Sequence, residues 1–216
     1  MKIMLNLAEE LFLLALDDDE GWIVAPALDI LRYGLAAALL ADLALHDKIV
    51  VEEQRIVVRD LRPLGDDLLD DTLKRLADSP KPRKVKYWLN ALGFRKLPKQ
   101  IAQGLVARGV LIERERQYEW AQPYIGAARP DAPAKYWIKQ DLRAAALTQA
   151  RPDRRTIVLL SLMQGCRLLT LVFTKDERKT ARKRLDELLE GEDFGAAVTQ
   201  TLTDIEQAIM ATTGDT

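Results

Sequence analysis

The segment from Pro26 to Leu45 does most to limit what this chain can fold into. Leu28, Leu31, Leu35, Leu39 and Leu43 recur along it at helical spacing. A helix this apolar cannot sit on a surface and needs other elements around it. The pattern predicts a buried central helix over Pro26 to Leu45 and a mainly α-helical, single-domain bundle formed around it. The longest unbroken apolar stretch, Gly34 to Ala41, is closed by Asp42. That is far short of the roughly 20 residues a membrane span requires, so any meeting with a membrane is expected at its surface.

The remaining elements follow from local signals. Asn6, with Glu9 three residues on, has the form of a capping box and predicts a helix over Leu7 to Leu16. Asp17-Asp18-Asp19-Glu20-Gly21 ends that helix, since acids oppose the dipole at a helix C-terminus. Ile49-Val50-Val51 and Ile56-Val57-Val58 around a short polar centre predict a hairpin within Lys48 to Arg59. Helices are expected at Asp66 to Ala77, through Tyr87 and Leu92 up to Gly93, and at Leu97 to Arg108. A second hairpin is expected over Val110 to Trp120, its charged turn at Glu113 to Arg116 and its return strand at Tyr118 to Trp120. The segment Gln122 to Pro133 reads as the only linker. Helices are predicted beyond it at Ala134 to Leu147, Arg154 to Phe173, Lys175 to Leu189 and Gly195 to Ala211. The apolar faces on both sides of the linker are too wide to stand alone, so one domain is expected over residues 1–216.

Searching for chemistry gives little. Neither the phosphate-binding G-x-x-x-x-G-K-[ST] loop nor a G-x-G-x-x-G turn after a strand is present. The single histidine, His46, reads as a helix-end residue, where a cation suits the dipole. The single cysteine, Cys166, reads as a small buried hydrophobe and fits a reducing compartment. An EF-hand loop counted from Asp17 would need a bidentate Glu where Leu28 stands. No metal or cofactor is therefore expected. The opening residues lack the layout of a signal peptide, because acids interrupt them before any long apolar run.

Charge is more informative. The net charge is only -1, so an electrostatic function must come from local segregation. From Ser79 to Ile112 there is no Asp or Glu, while Lys81, Arg83, Lys84, Lys86, Arg95, Lys96, Lys99 and Arg108 all fall there, interleaved with Tyr87, Trp88 and Phe94. Such a window suits anionic lipid head groups, suits a nucleic-acid backbone, or is simply a solvated helix face. The helix Leu97 to Arg108 leading into a hairpin also has winged-helix form. It offers few side chains for base edges, mainly Lys99, Gln100 and Gln103.

Five motifs then fall in order along the chain. They are Leu5-Asn6-Leu7-Ala8-Glu9-Glu10-Leu11-Phe12-Leu13-Leu14 with Asp19-Glu20-Gly21; Gly34-Leu35 to Asp42-Leu43-Ala44-Leu45; Asp67-Leu68-Leu69-Asp70; Gly104-Leu105-Val106-Ala107-Arg108-Gly109-Val110-Leu111; and Asp153-Arg154-Arg155 before an apolar helix. Together they resemble the Golgi phosphoprotein 3 (GPP34) family. The resemblance implies a helical bundle with a projecting β-hairpin. It also implies phosphatidylinositol 4-phosphate binding on Golgi membranes and an adaptor role for glycosyltransferase tails, as in eukaryotic members. The family holds the lipid phosphate with a Trp and an Arg near the second helix and an Arg pair before the "L-V-x-[KR]-G-V-L" helix. Here the Trp position falls near Ala27, with Trp22 the nearest substitute. The first Arg position is Ala36, with Arg32 one turn earlier. The Arg pair becomes Arg95 and Pro98, flanked by Lys96 and Lys99.

The expectation is a short, bacterial-type member that binds anionic phospholipid without catalysis, its head-group site formed by Trp22, Arg32, Arg95, Lys96 and Lys99. It is expected in the cytoplasm, peripherally on the membrane, at the Golgi in a eukaryote or the cytoplasmic membrane in a bacterium. Protein tails, and self-association through the hairpin Val110 to Trp120, are further expected partners; nucleic acid is not. The rivals are a winged-helix-like nucleic-acid binder and an oligomerising interaction adaptor.

Overall fold

Helices α1 (Leu7–Ala15) and α2 (Leu31–Leu45) lie antiparallel at the centre of the molecule. The Leu7 N–H donates to the Asp42 carboxylate late in α2 at 2.7 Å. Further along, the Leu11 side chain lies 3.2 Å from where a Cβ on Gly34 would stand. The computed structural model describes residues 4–17, 23–27, 30–112, 127–128, 133–190, 203–205 and 207–211. Both helices are buried along most of their length. Helix α1 is thus as central as α2. The expected capping box is present: Asn6 Oδ1 accepts from the Glu9 N–H at 2.9 Å, and Glu9 accepts from the Asn6 N–H at 3.0 Å.

Helix α2 begins at Leu31, not at Pro26. The cause lies in α1. Leu16 forms a β-bridge with Ile23, and the Val24 N–H bonds the Ala15 carbonyl at 2.9 Å. The chain is tied back on itself there and makes a separate 3-10 turn, Ala25–Ala27, before it can enter the helix.

Strands β1 (Ile49–Glu52) and β2 (Arg55–Val58) form the first expected hairpin. Its two turn residues, Glu53 and Gln54, both have positive φ, 48° and 60°, as a tight turn matching the strand twist requires. Helices α3 (Asp67–Ala77), α4 (Val85–Leu92) and α5 (Leu97–Ala107) then pack on α2.

The second hairpin is not the expected one. Strand β3 (Leu111–Ile112) pairs antiparallel with β4 (Ala127–Ala128), Leu111 opposite Ala128. The strand paired with β3 thus lies inside the stretch read as a linker, while the expected return strand, Tyr118 to Trp120, lies outside the described residues. Residues 113–126, including the expected turn and Trp120, lie outside the described part. Backbone pairing does not depend on side-chain type, so an alanine pair carries no signal strong enough to mark a strand.

Helices α6 (Pro133–Leu147), α7 (Arg154–Gly165) and α8 (Glu177–Glu190) complete the bundle. Helix α7 packs on α2, and α6 on α1. The helix expected over Arg154 to Phe173 stops at Gly165, because Arg167 takes a left-handed φ of 58° and a 3-10 turn at Leu169–Leu171 follows. Of the helix expected over Gly195 to Ala211, residues 203–205 and 207–211 are helical and the others, apart from these, lie outside the described part. Ile205 and Ile209 join the same apolar core as α1, α2, α4 and α7. No helix among the described residues is long and apolar enough to cross a membrane.

Candidate functional site

The antiparallel arrangement gives the molecule two unlike ends. One holds the start of α1, the end of α2 and the starts of α3 and α7. Every one of these helix starts is capped by a side chain: Asn6 for α1, Asp66 for α3 and Asp153 for α7. The caps are linked, since Asn6 Nδ2 donates to Asp66 Oδ2 at 3.0 Å. Asp42, 1% exposed, accepts from the Leu7 N–H and from Arg155 at 3.2 Å. Arg155 also donates to the Leu5 carbonyl at 2.6 Å and to Glu10 at 3.3 Å. The family-type Asp153-Arg154-Arg155 segment therefore works as a clasp between α7, α1 and α2. Nearby, Arg108 at the end of α5 pairs with Glu9.

In this clasp one guanidinium serves two carboxylates. Burial pushes the Glu10 carboxyl up to about 7, outweighing the pull of Arg155. An acid whose pKa is raised by folding adds stability below its unfolded value and loses it as pH rises through the folded one. Glu10→Gln, which mimics the protonated acid, should therefore match the parent near pH 4.5 and exceed it above about 7. The difference should reach about 3 kcal/mol at most. Urea unfolding of both proteins across that window checks it; equal slopes of stability against pH would contradict it.

The opposite end holds the close of α1, the starts of α2, α5 and α6, and the α4–α5 corner. Lys135 at the start of α6 is buried and gives its amine to the Leu16 carbonyl. Neither α2 nor α5 has a side-chain cap at its start; Ile30 and Lys96 fill the cap positions, and Pro98 follows in the first turn of α5. First-turn N–H groups and the positive end of the dipole there favour an anion.

Gly93 seats the corner against α2. A Cβ at this position would come within 2.5 Å of the Leu89 carbonyl oxygen and 3.0 Å of that of Arg32. The backbone leading to Arg95 therefore passes directly over the first turn of α2. Arg95, Lys96 and Lys99 are exposed, and Arg32 is half-buried with its guanidinium 4.4 Å from the Tyr33 ring centroid. None of these four cations is in an ion pair among the described residues. Of the sequence-predicted site, then, Arg32 and the Arg95–Lys99 group belong to one end; Trp22 lies outside the described part.

Arg75 joins them unforeseen. It comes from the last turn of α3, donates to the Ala91 carbonyl at 3.1 Å and lies 5.7 Å from the Phe94 ring centroid. Its place in an Asp-rich helix gave no hint, and only tertiary packing brings it to the corner. The acid-free window itself is not one surface. Arg108 goes to the far end with Glu9, Arg83 stacks 5.1 Å over Tyr87, and Lys86 donates to the Ala211 carbonyl at 3.3 Å.

Because Gly93 has no room for a Cβ, Gly93→Ala should move the corner off α2 and cost stability. A loss of about 1–3 kcal/mol is typical of an overpacked site, measurable by thermal unfolding; an unchanged midpoint would show that the corner is looser than this contact implies.

Compared with known protein families, the chain matches the family model for Golgi phosphoprotein 3 (GPP34) over residues 7–205, nearly its whole length.

Proposed function

The chain belongs to the Golgi phosphoprotein 3 (GPP34) family, and from that premise we propose that it is a non-catalytic peripheral membrane protein holding anionic phospholipid head groups at its basic end. The head-group site is formed by Arg32, Arg95, Lys96 and Lys99. The observation that supports this reading most is that these cations stand at the starts of two uncapped helices with no carboxylate partner among the described residues. Arg108, Arg143 and Arg155, by contrast, each face a carboxylate: Glu9, Glu177 and Asp42. A cluster left unneutralised beside helix dipoles suits a phosphate-bearing ligand. Arg75 beside Phe94 adds a fifth positive group at the corner.

The single histidine and the single cysteine have no part in this reading. His46 Nδ1 is 2.8 Å from the Asp42 carbonyl oxygen, at the end away from the cations. Cys166 is buried beside Gly34. The membrane would be met from the cytoplasmic side, at the Golgi in a eukaryote or the cytoplasmic membrane in a bacterium. An adaptor role toward protein tails, and self-association through Val110 to Trp120, extend the same proposal; residues 113–120 lie outside the described part.

Co-sedimentation with vesicles tests the reading. Binding should be weak on phosphatidylcholine alone, strong when phosphatidylserine or a phosphoinositide is added, and reduced by salt, since exposed charges are screened. A DNA-shift assay forms the second arm. Salt-sensitive DNA binding with no vesicle binding would favour the winged-helix rival.

A further inference from the structure

The start of α6 carries two neighbouring aromatic side chains that the core does not use. Tyr136 is 57% exposed and Trp137 56%. Their rings meet edge to face, with centroids 5.2 Å apart. The helix itself is firmly seated: Lys135 is anchored to the Leu16 carbonyl, while Ala134 and Ile138 pack on the core. The aromatic pair thus stands on a rigid element and points away from the bundle. Among the described residues, no other two neighbours in the chain are large hydrophobics left this exposed.

Their position in the fold suggests what covers them. Leu16, to which Lys135 is tied, closes α1 at the end where α2 begins with Arg32 and where the Gly93–Lys96 corner passes. An amphipathic aromatic pair and an unneutralised cation cluster therefore share one end of the molecule. A protein partner's apolar groove would satisfy the rings alone, and a polyanion the cations alone. The surface of an anionic bilayer satisfies both, since Trp and Tyr favour the head-group level and basic groups favour anionic lipid. We infer that Tyr136 and Trp137 form an interfacial anchor that inserts beside the basic head-group site. This rests on the lipid reading above and assigns it a second, apolar contact.

The test compares the parent, Tyr136→Ala/Trp137→Ala and Trp137→Phe on vesicles of phosphatidylcholine with phosphatidylserine. The double variant should bind about tenfold more weakly, the loss expected when two large aromatic side chains no longer leave water. Its remaining binding should still be abolished by salt. Trp137→Phe keeps an apolar ring and should bind like the parent, yet show less fluorescence quenching by brominated lipid. If the parent binds and the double variant binds equally well, or if Trp137→Phe is quenched as fully as the parent, the anchor is wrong and the lipid reading stands. Failure of the parent itself to bind overturns both. A double variant that binds vesicles normally but shifts from dimer to monomer in sedimentation would make the pair a self-association surface and overturn the proposal.

Discussion

Replacing Arg95, Lys96 and Lys99 together by alanine is expected to weaken binding to anionic vesicles by more than a hundredfold. Each basic side chain near an anionic surface contributes about 1 kcal/mol, and the three sum to about 3 kcal/mol, which converts to that factor. The side chains are exposed and unpaired among the described residues, so their removal should leave the unfolding midpoint nearly unchanged. Arg32 and Arg75 stay in place and should retain a residual, salt-sensitive affinity. Restoring Arg95 alone should recover more than restoring either lysine, because a guanidinium can grip a phosphate with two parallel hydrogen bonds. If the triple variant co-sediments as well as the parent, the head group is not bound at this corner.

How much of this was legible in the sequence depended on the range of the interaction concerned. Asn6 and Glu9 are three residues apart and their capping box could be read directly; so could the hairpin of Ile49–Val58, whose turn and alternation are local. The start of α2 could not be read, because a backbone bridge from Leu16 to Ile23 decides it. The strand partner of Leu111 was misplaced for a like reason. Charged residues at Glu113 to Arg116 read as a turn, while the ladder closes on Ala127–Ala128. At the basic end the sequence supplied Arg95, Lys96 and Lys99 as neighbours, and the family resemblance pointed to Arg32. That Gly93 brings them to one end is a packing fact, and Arg75 joins them across the α3–α4 contact with no local signal. The acid-free window overstated the site, since a one-dimensional charge run does not tell which cations are neutralised by distant carboxylates such as Glu9.

Arg155→Met should cost the fold about 3–5 kcal/mol, the usual result of stranding a buried charge. Asp42 is 1% exposed and sits within the central helix, facing the start of α1. Its strongest positive neighbour is Arg155, at 3.2 Å; His46 approaches to 3.4 Å but is nearly half exposed. Without the guanidinium, Asp42 keeps the Leu7 N–H, and the Leu5 carbonyl loses its 2.6 Å donor. Methionine preserves much of the side-chain volume, so the loss reports the charge and its hydrogen bonds rather than a cavity. The partner substitution decides between these causes. Asp42→Asn removes the charge but keeps an oxygen for the Leu7 N–H. Adding it to Arg155→Met should therefore restore about 2 kcal/mol, a coupling within the range expected of residues in one ionic network. Urea unfolding of the two single variants and the double variant measures the cycle. Strict additivity would mean that Arg155 acts by packing against α1 and α2, and that the clasp between α7 and the central pair is apolar.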